Sequence, residues 1–583
     1  MYDEFGIAHG YHDIDGTWHD TPADTVDRLR ASMGEPGDLP PMWFVDAGSS
    51  HQLLGPCRVV LEDGTDRGVV EHLPGDLPIG YHQLEPVDGA PITTLVVSPL
   101  QCPSAPWGWG VAAQVYSLWR HDGWGIGDLR DVSELGQRVA AAGGVAMLLS
   151  PLHAPAPTLP QEPSPYYPSS RRWLNPLLLP MDGPCPPEVP NAPDGTIDRD
   201  RVWSAKRQAL AARFQRERHL PEWRGWSRSQ GDDLWRYCVW SSLAERLGPQ
   251  WRQWPHEHRH PESPAVLDLP LHDHDFAEHC EFHAWVQWLT RREVAHTAAT
   301  SGVALISDLA VGCSSDGADA WLYQDVMNLE AQIGAPPDAF NADGQDWGLP
   351  PFVPWKLRTA NYRPFIALVR AACQGMGGVR IDHVMGLFRQ FWIPAGGTPK
   401  DGAYVRMPAD ELLAIIRIEA TRAGAFVVGE DLGTVEDGVR ESLRDSGVLG
   451  TKVWWFDTDV TQWAPTNLAT VTTHDLPTVA GVWEGTDGSD DMHHAVRALT
   501  PDSVDAIAAS AAVYRATASS AARLCLATTD DLAGVTDRPN HPGTRNDEFP
   551  NWCIRLPVGV DQLVDGPPAT AIIEAMRSGR QSY

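Results

Sequence analysis

No stretch of about 18 uncharged apolar residues occurs anywhere in the 583-residue chain, so the sequence offers no membrane-spanning helix. The opening residues, MYDEFGIAHG, lack both the basic stretch and the apolar core of a secretory leader, and the expected location is the cytoplasm. Positive charge is also scarce. Lysine and arginine together number 45 against 76 acidic residues, a formal net charge of −31, and no basic block offsets it. A surface of that sign repels a phosphate backbone, so nucleic acid is not an expected partner. Cysteine is sparse: the nine residues (Cys57, Cys102, Cys185, Cys238, Cys280, Cys313, Cys373, Cys525 and Cys553) are scattered, odd in number and without a CxxC pair. They read as buried thiols, not as disulfides.

Several chemistry-bearing patterns are missing too. There is no GxSxG elbow for Ser-His-Asp catalysis. Closely spaced glycines at Gly108 and Gly110, and again in GWGIGD (123–128), stand outside a GxGxxG frame and read as loop geometry at a barrel mouth. In HDHDFAEHCEFHAW (272–285), His279 and His283 lie four apart on an expected helix, but the order is not HExxH and no third ligand is specified. That stretch reads as a solvated helix face. No metal and no cofactor are expected.

What the chain does have is tryptophan, 25 residues in all, and an ordinary 43% of hydrophobic residues. Flat aromatic faces suit sugars, although filling the core accounts for most tryptophans in a chain of this size. TPADTVDRLRASMG (21–34) reads as a short helix with Thr21 at the N-cap, Pro22 at the first helical position and Gly34 past the end. From 41 to 102, short β-leaning runs alternate with Asp-Gly turns, which predicts a small β-sandwich after an N-terminal helical segment of about 40 residues.

From 103 to 583 the period lengthens. Eight apolar strand candidates are separated by helical or long polar stretches: 111–119, 145–153, 303–310, 378–384, 425–431, 451–456, 467–475 and 523–531. This pattern predicts an α/β (β/α)8 barrel with large insertions at about 154–300 and 312–376. Several of these runs finish on charged residues: Asp308, Arg380 with Asp382, Glu430 with Asp431, His474 with Asp475, and Asp530 with Asp531. A parallel barrel gathers its strand ends on the face where such enzymes carry their sites. Paired carboxylates without a metal or phosphate loop point to glycosidic bond cleavage, with one acid as nucleophile and the other as acid and base. Arg380, two residues before Asp382, shares its side of the strand and can keep that carboxylate ionised, whereas Glu430 needs its pKa raised by a neighbouring carboxylate.

The motifs at these positions resemble those of one family in order along the chain. They are YSLWRHDGWGIGDLRD (116–131), SPYYPSSRRWLNP (164–176), GAPPDAFNADGQDWGLPPF (334–352), VRIDHVMGLFRQFWIP (379–394), VVGEDLGTV (427–435), THDLPTVAGVW (473–483) and RPNHPGTRNDEFPNW (538–552). The chain is similar to the 4-α-glucanotransferases, or amylomaltases, of glycoside hydrolase family 77, relatives of the α-amylases. The resemblance implies a retaining transfer of glucan from an α-1,4-linked donor to a glucan or glucose acceptor, with no cofactor. It implies Asp382 as nucleophile, Glu430 as general acid and base, and Asp475 as transition-state stabiliser. It places Arg380, His383, His474, Asp308 and Tyr166 around the cleaved sugar, and Asp338, Phe340, Gln345 and Trp347 on a loop that covers the site. His121, Asp122 and the segment Asn341 to Asp343 depart from the family pattern and leave chain-length and acceptor preference open. An α-amylase-like hydrolase and an inactive glucan-binding barrel are the alternatives. Only transfer keeps the number of reducing ends constant.

Overall fold

The structure, a computed structural model, describes every residue except 14–15, 193–194, 338–342, 501–504 and 582–583. Eight strands close into a barrel: β1 (Gly108–Ala113), β2 (Ala146–Leu149), β3 (Ala304–Leu309), β4 (Gly378–Ile381), β5 (Phe426–Gly429), β6 (Val448–Val453), β7 (Asn467–Thr470) and β8 (Leu524–Thr528). They follow one another round the barrel in chain order, and β8 pairs back onto β1 in parallel. Strands β4, β5 and β8 are buried along their whole length. Covered on both faces, they appear in the sequence as unbroken apolar runs and do not alternate.

Strand β1 begins earlier than the sequence suggests. Gly108 and Gly110, expected in a loop, lie inside it. A Cβ on Gly110 would sit 2.1 Å from the Ala146 carbonyl oxygen, and one on Gly108 would sit 2.8 Å from the Val145 side chain. These glycines allow two strands to approach closely and have no part in binding phosphate. Farther on, Asp128 caps helix α1 (Leu129–Ala141): its carboxylate accepts from the amides of Arg130 and Asp131, and Asp131 reciprocates on the Asp128 amide.

Two compact units divide the chain, one formed by Met1–Ser104, Tyr323–Gln374 and Ile381–Leu449, the other by Ala105–Leu322, Gly375–Arg380 and Gly450–Tyr583. In the first, the strands between Met42 and Ser98 make one five-stranded sheet where a two-layer sandwich was expected. One face carries its own cluster, including Val45, Val59, Leu84, Leu95 and Val97. The other face meets the helix Ala409–Ala423, onto which the Ser98 hydroxyl donates at Ala414 O (3.3 Å) and the Tyr81 hydroxyl at Glu419 (2.9 Å). A helix thus supplies the second layer in place of a sheet. The N-terminal helix spans Ala23–Met33, with Pro22 at the N-cap; Thr21 donates instead to Ala8 O at 2.7 Å.

The same unit holds a four-stranded antiparallel sheet in the order Gln345–Leu349, Ala331–Ala335, Arg389–Pro394, Ala403–Arg406. The chain's first residues close its far edge: Ile7 bridges Val405, the Ala8 amide donates to Tyr404 O, and the Arg406 amide donates to Gly6 O.

In the second unit, the insertion after β2 contains helices α2 (Asp232–Leu247) and α3 (His274–Thr300). The solvated-face expectation fails for one of its two histidines. His279 is exposed, but His283 is buried against Glu245 of α2, with Nε2 3.4 Å from the carboxylate. Among the described residues no group of three or more His, Cys, Asp or Glu is placed to hold a metal ion. All nine cysteines are free. Six are buried as expected, while Cys57, Cys185 and Cys553 are partly exposed.

Candidate active site

The charged strand ends singled out in the sequence lie in their strands or within a few residues past them. Asp308 is in β3, Arg380 in β4, Asp382 follows β4 and Glu430 follows β5. His474 and Asp475 lie a few residues beyond β7.

In the second unit these side chains form one connected network. Arg380 Nη1 donates to both carboxylate oxygens of buried Asp308, at 2.7 Å each. The Tyr166 hydroxyl donates to Asp308 Oδ2 at 2.7 Å and stands 3.1 Å from His474 Nδ1, the two rings 4.5 Å apart. His474 Nε2 lies 3.5 Å from Asp475 Oδ2. Asn540 Nδ2 donates to Asp475 Oδ1 at 2.6 Å, and Arg538 donates to the Asp475 carbonyl at 2.8 Å while its own guanidinium pairs with Asp487. Burial pushes the Asp475 carboxyl upward, but His474, Asn540 and Arg380 outweigh it and hold the pKa below the usual range. The side chain remains 43% exposed, so this anion is held in place yet open to a ligand.

In the first unit Glu430 is fixed through the backbone. Its Oε2 accepts the His383 amide at 2.9 Å and its Oε1 the Leu432 amide at 2.8 Å. His383 can present that amide because it adopts a left-handed conformation (φ 47°), which turns the chain sharply directly after Asp382. Burial, with help from Arg389, lowers the His383 pKa against the opposing pull of Asp382. Trp347 meets that ring edge-on at 5.2 Å, and its indole N–H is tied to Gln345 Oε1 at 3.0 Å. Asp338 and Phe340 lie outside the described residues.

The last pair of acids has a structural task. Asp531 accepts from the Tyr514 hydroxyl (2.5 Å), the Val479 amide (2.8 Å) and the Thr528 hydroxyl (3.1 Å) inside the short helix Thr529–Ala533. Burial next to Asp531 raises Asp530 to about 7. Asp431 likewise pairs with Arg440 at 2.9 Å. Asn540, Arg538 and Trp552 were given no roles from the sequence. Trp552 lies 5.5 Å from the Tyr166 ring and 5.2 Å from His474. All three belong to RPNHPGTRNDEFPNW, whose dense turn residues around an arginine were the available signal.

A closed barrel with anchored carboxylates at its strand ends defines the class: a carboxylate-bearing (β/α)8-barrel protein. Comparison with known proteins narrows this. The model of the family described as 4-alpha-glucanotransferase, glycoside hydrolase family 77, matches residues 113–561. A 4-alpha-glucanotransferase of Mycobacterium tuberculosis is 37% identical over 597 residues, covering 88% of this chain and 81% of the relative. One from Haemophilus influenzae is 32% identical, covering 82% and 79%. The amylomaltase of Corynebacterium glutamicum superposes with a TM-score of 0.83 at 27% identity over 98% of both chains. The amylomaltase of Streptococcus agalactiae, solved in complex with acarbose, shares the fold with a TM-score of 0.70 over 81% of this chain and 99% of its own. The chain belongs to the 4-alpha-glucanotransferase family, glycoside hydrolase family 77.

Proposed function

We propose that this protein is a retaining 4-alpha-glucanotransferase that cleaves an α-1,4 bond in maltooligosaccharides or starch-like glucans and passes the glucan to the 4-hydroxyl of another glucan or of glucose. Membership of the family across most of the chain carries this reading. In the first half-reaction Asp382 attacks the anomeric carbon, the bond from that carbon to the leaving oxygen breaks, and Glu430 protonates the departing hydroxyl. In the second, Glu430 takes the proton of the acceptor hydroxyl, whose oxygen displaces Asp382. Asp475 stays ionised and binds sugar hydroxyls, and the network of Tyr166, Asp308, Arg380 and His474 orders the donors around it. The two backbone amides fix the plane of the Glu430 carboxylate and favour its ionised form, which suits the general-base half of its role. The cytoplasmic location expected from the sequence belongs to the same proposal; among the described residues no helix is long and apolar enough to cross a membrane.

The test is incubation with maltotriose, followed by chromatography and a reducing-end assay. A ladder of shorter and longer oligomers with constant reducing ends is expected. Rising reducing ends would replace transfer by hydrolysis, and an untouched trimer would reject the reading for this donor.

The covering loop gives a second expectation. Trp347, whose indole N–H is held by Gln345 and whose ring meets His383, has in this proposal the task of stacking on sugar and keeping water from the intermediate. Trp347→Ala should raise the ratio of hydrolysis to transfer roughly tenfold, the equivalent of one lost aromatic contact. The ratio of glucose released to oligomers elongated measures it, and an unchanged ratio rejects the role.

A further inference from the structure

A groove of about 1140 Å³ opens on the first unit, and none of the residues given a catalytic or sugar-binding role above is among those that line it. One wall is the hairpin in which Gly10–His12 pairs with Trp18–Asp20. The other is formed by residues that follow the two proposed catalytic acids in the chain: Phe388 and Arg389 after Asp382, and Thr434 to Gly438 after Glu430. The hairpin wall lies outside the stretch matched by the family model, which starts at residue 113.

The central feature is Trp18. At 44% exposure it is the most open of the tryptophans, yet it is tightly held. Its indole N–H donates to Asp20 at 2.7 Å, and the His12 ring meets it edge-on at 4.9 Å. Gly10 lies directly beneath the ring: a Cβ there would come within 2.5 Å of it. The hairpin is anchored in turn by Tyr11, which stacks on His19 and packs on Phe391 and Tyr404. Trp18 therefore presents an immobilised flat face to solvent, a geometry that costs little further ordering when a ligand stacks on it. Across the groove the polar groups are already engaged: Glu436 accepts from the Tyr2 hydroxyl (3.2 Å) and pairs with Arg389 (3.1 Å), and Arg406 lies over the Tyr2 ring. Four carboxylates line the space against two guanidinium groups and the Met1 ammonium. That balance disfavours an anion, while paired acids and bases suit a neutral ligand rich in hydroxyls. The volume exceeds the roughly 300–1,000 Å³ of small-molecule pockets and fits an extended chain.

We propose that this groove is a second glucan-binding site in which a sugar ring of a long α-glucan stacks on Trp18 and its hydroxyls meet the Glu436–Arg389 pair. The inference rests on the glucan-transfer reading, and its occupant is a polymer such as amylose.

The test is native electrophoresis through gels containing amylose, on the full chain in an Asp382→Asn background so that the polymer is not remodelled. Trp18→Ala should weaken retention roughly fivefold, about 1 kcal/mol by RT ln 5, and Trp18→Phe should restore it to within about twofold. Equal retention of Trp18→Ala and its background, or no retention of either, overturns the site. Loss of retention that Trp18→Phe does not restore also overturns it, because a collapsed hairpin would then be the cause. The maltotriose assay is read separately on the parent chain. A ladder together with Trp18-independent retention rejects the groove alone, and Trp18-dependent retention without a ladder rejects transfer from maltotriose and leaves the groove standing.

Discussion

Asp382→Asn is expected to lower the initial rate of maltotriose disproportionation by on the order of 10⁴-fold or more, with binding of oligosaccharide and thermal stability close to the parent. A carboxamide has nearly the shape of the carboxylate but neither the charge nor the nucleophilic oxygen that the proposed mechanism requires. Asp382 lies just past β4 and is only partly buried, so the exchange creates no cavity. The turn that follows is set by the left-handed backbone of His383 and its amide bond to Glu430, neither of which uses the Asp382 side chain. Activity within tenfold of the parent would reject Asp382 as nucleophile.

The second large effect concerns acid. His153, on the short strand His153–Ala154 after β2, is buried, and its Nε2 accepts the Ala310 amide at 3.2 Å. Burial first, and then the Arg171 charge, depress its pKa to about 3, so the fold holds the neutral imidazole. An unfolded histidine titrates near 6.5. The stabilisation is therefore complete above that value and is lost as pH falls from about 6.5 toward 3, at up to about 1.4 kcal/mol per pH unit. At pH 4.5 this one ring would account for roughly 2–3 kcal/mol of lost stability. His153→Gln keeps an acceptor for the Ala310 amide and removes the titration. Thermal unfolding followed at pH 7.5 and 4.5 should show a smaller acid-induced drop in the variant. Equal drops in the two proteins would show that His153 is not the group protonated.

All eight barrel strands could be read from the sequence because a doubly covered parallel strand must be apolar throughout, and a charge at its end stands out against that background. The same contrast exposed Asp308, Arg380, Asp382 and Glu430. It misled at β8, where Asp530 and Asp531 look like functional acids but Asp531 braces Tyr514 and Val479. Arg380 shows a subtler limit. Its Nη1 binds Asp308, a partner 72 residues away that no local pattern reveals. Asn540 and Trp552 were hidden for the same reason: their significance lies in contacts with Asp475, His474 and Tyr166, not in their own neighbourhood along the chain. The five-stranded sheet was misjudged as a sandwich because alternation shows that a face is covered, not whether a helix or a sheet covers it.

The four-stranded sheet that carries Trp347 has a colloidal consequence as well. An open β-edge is a template for pairing with another molecule of the same chain. Here the edge at Ala403–Arg406 is sealed by Gly6 to Ala8. The opposite edge, Gln345–Leu349, is only five residues long, carries the charge of Asp346 and is twisted by Gly348 at φ 69°. The strand that brings Trp347 to His383 can thus stay at the rim of its sheet without acting as a seed for aggregation.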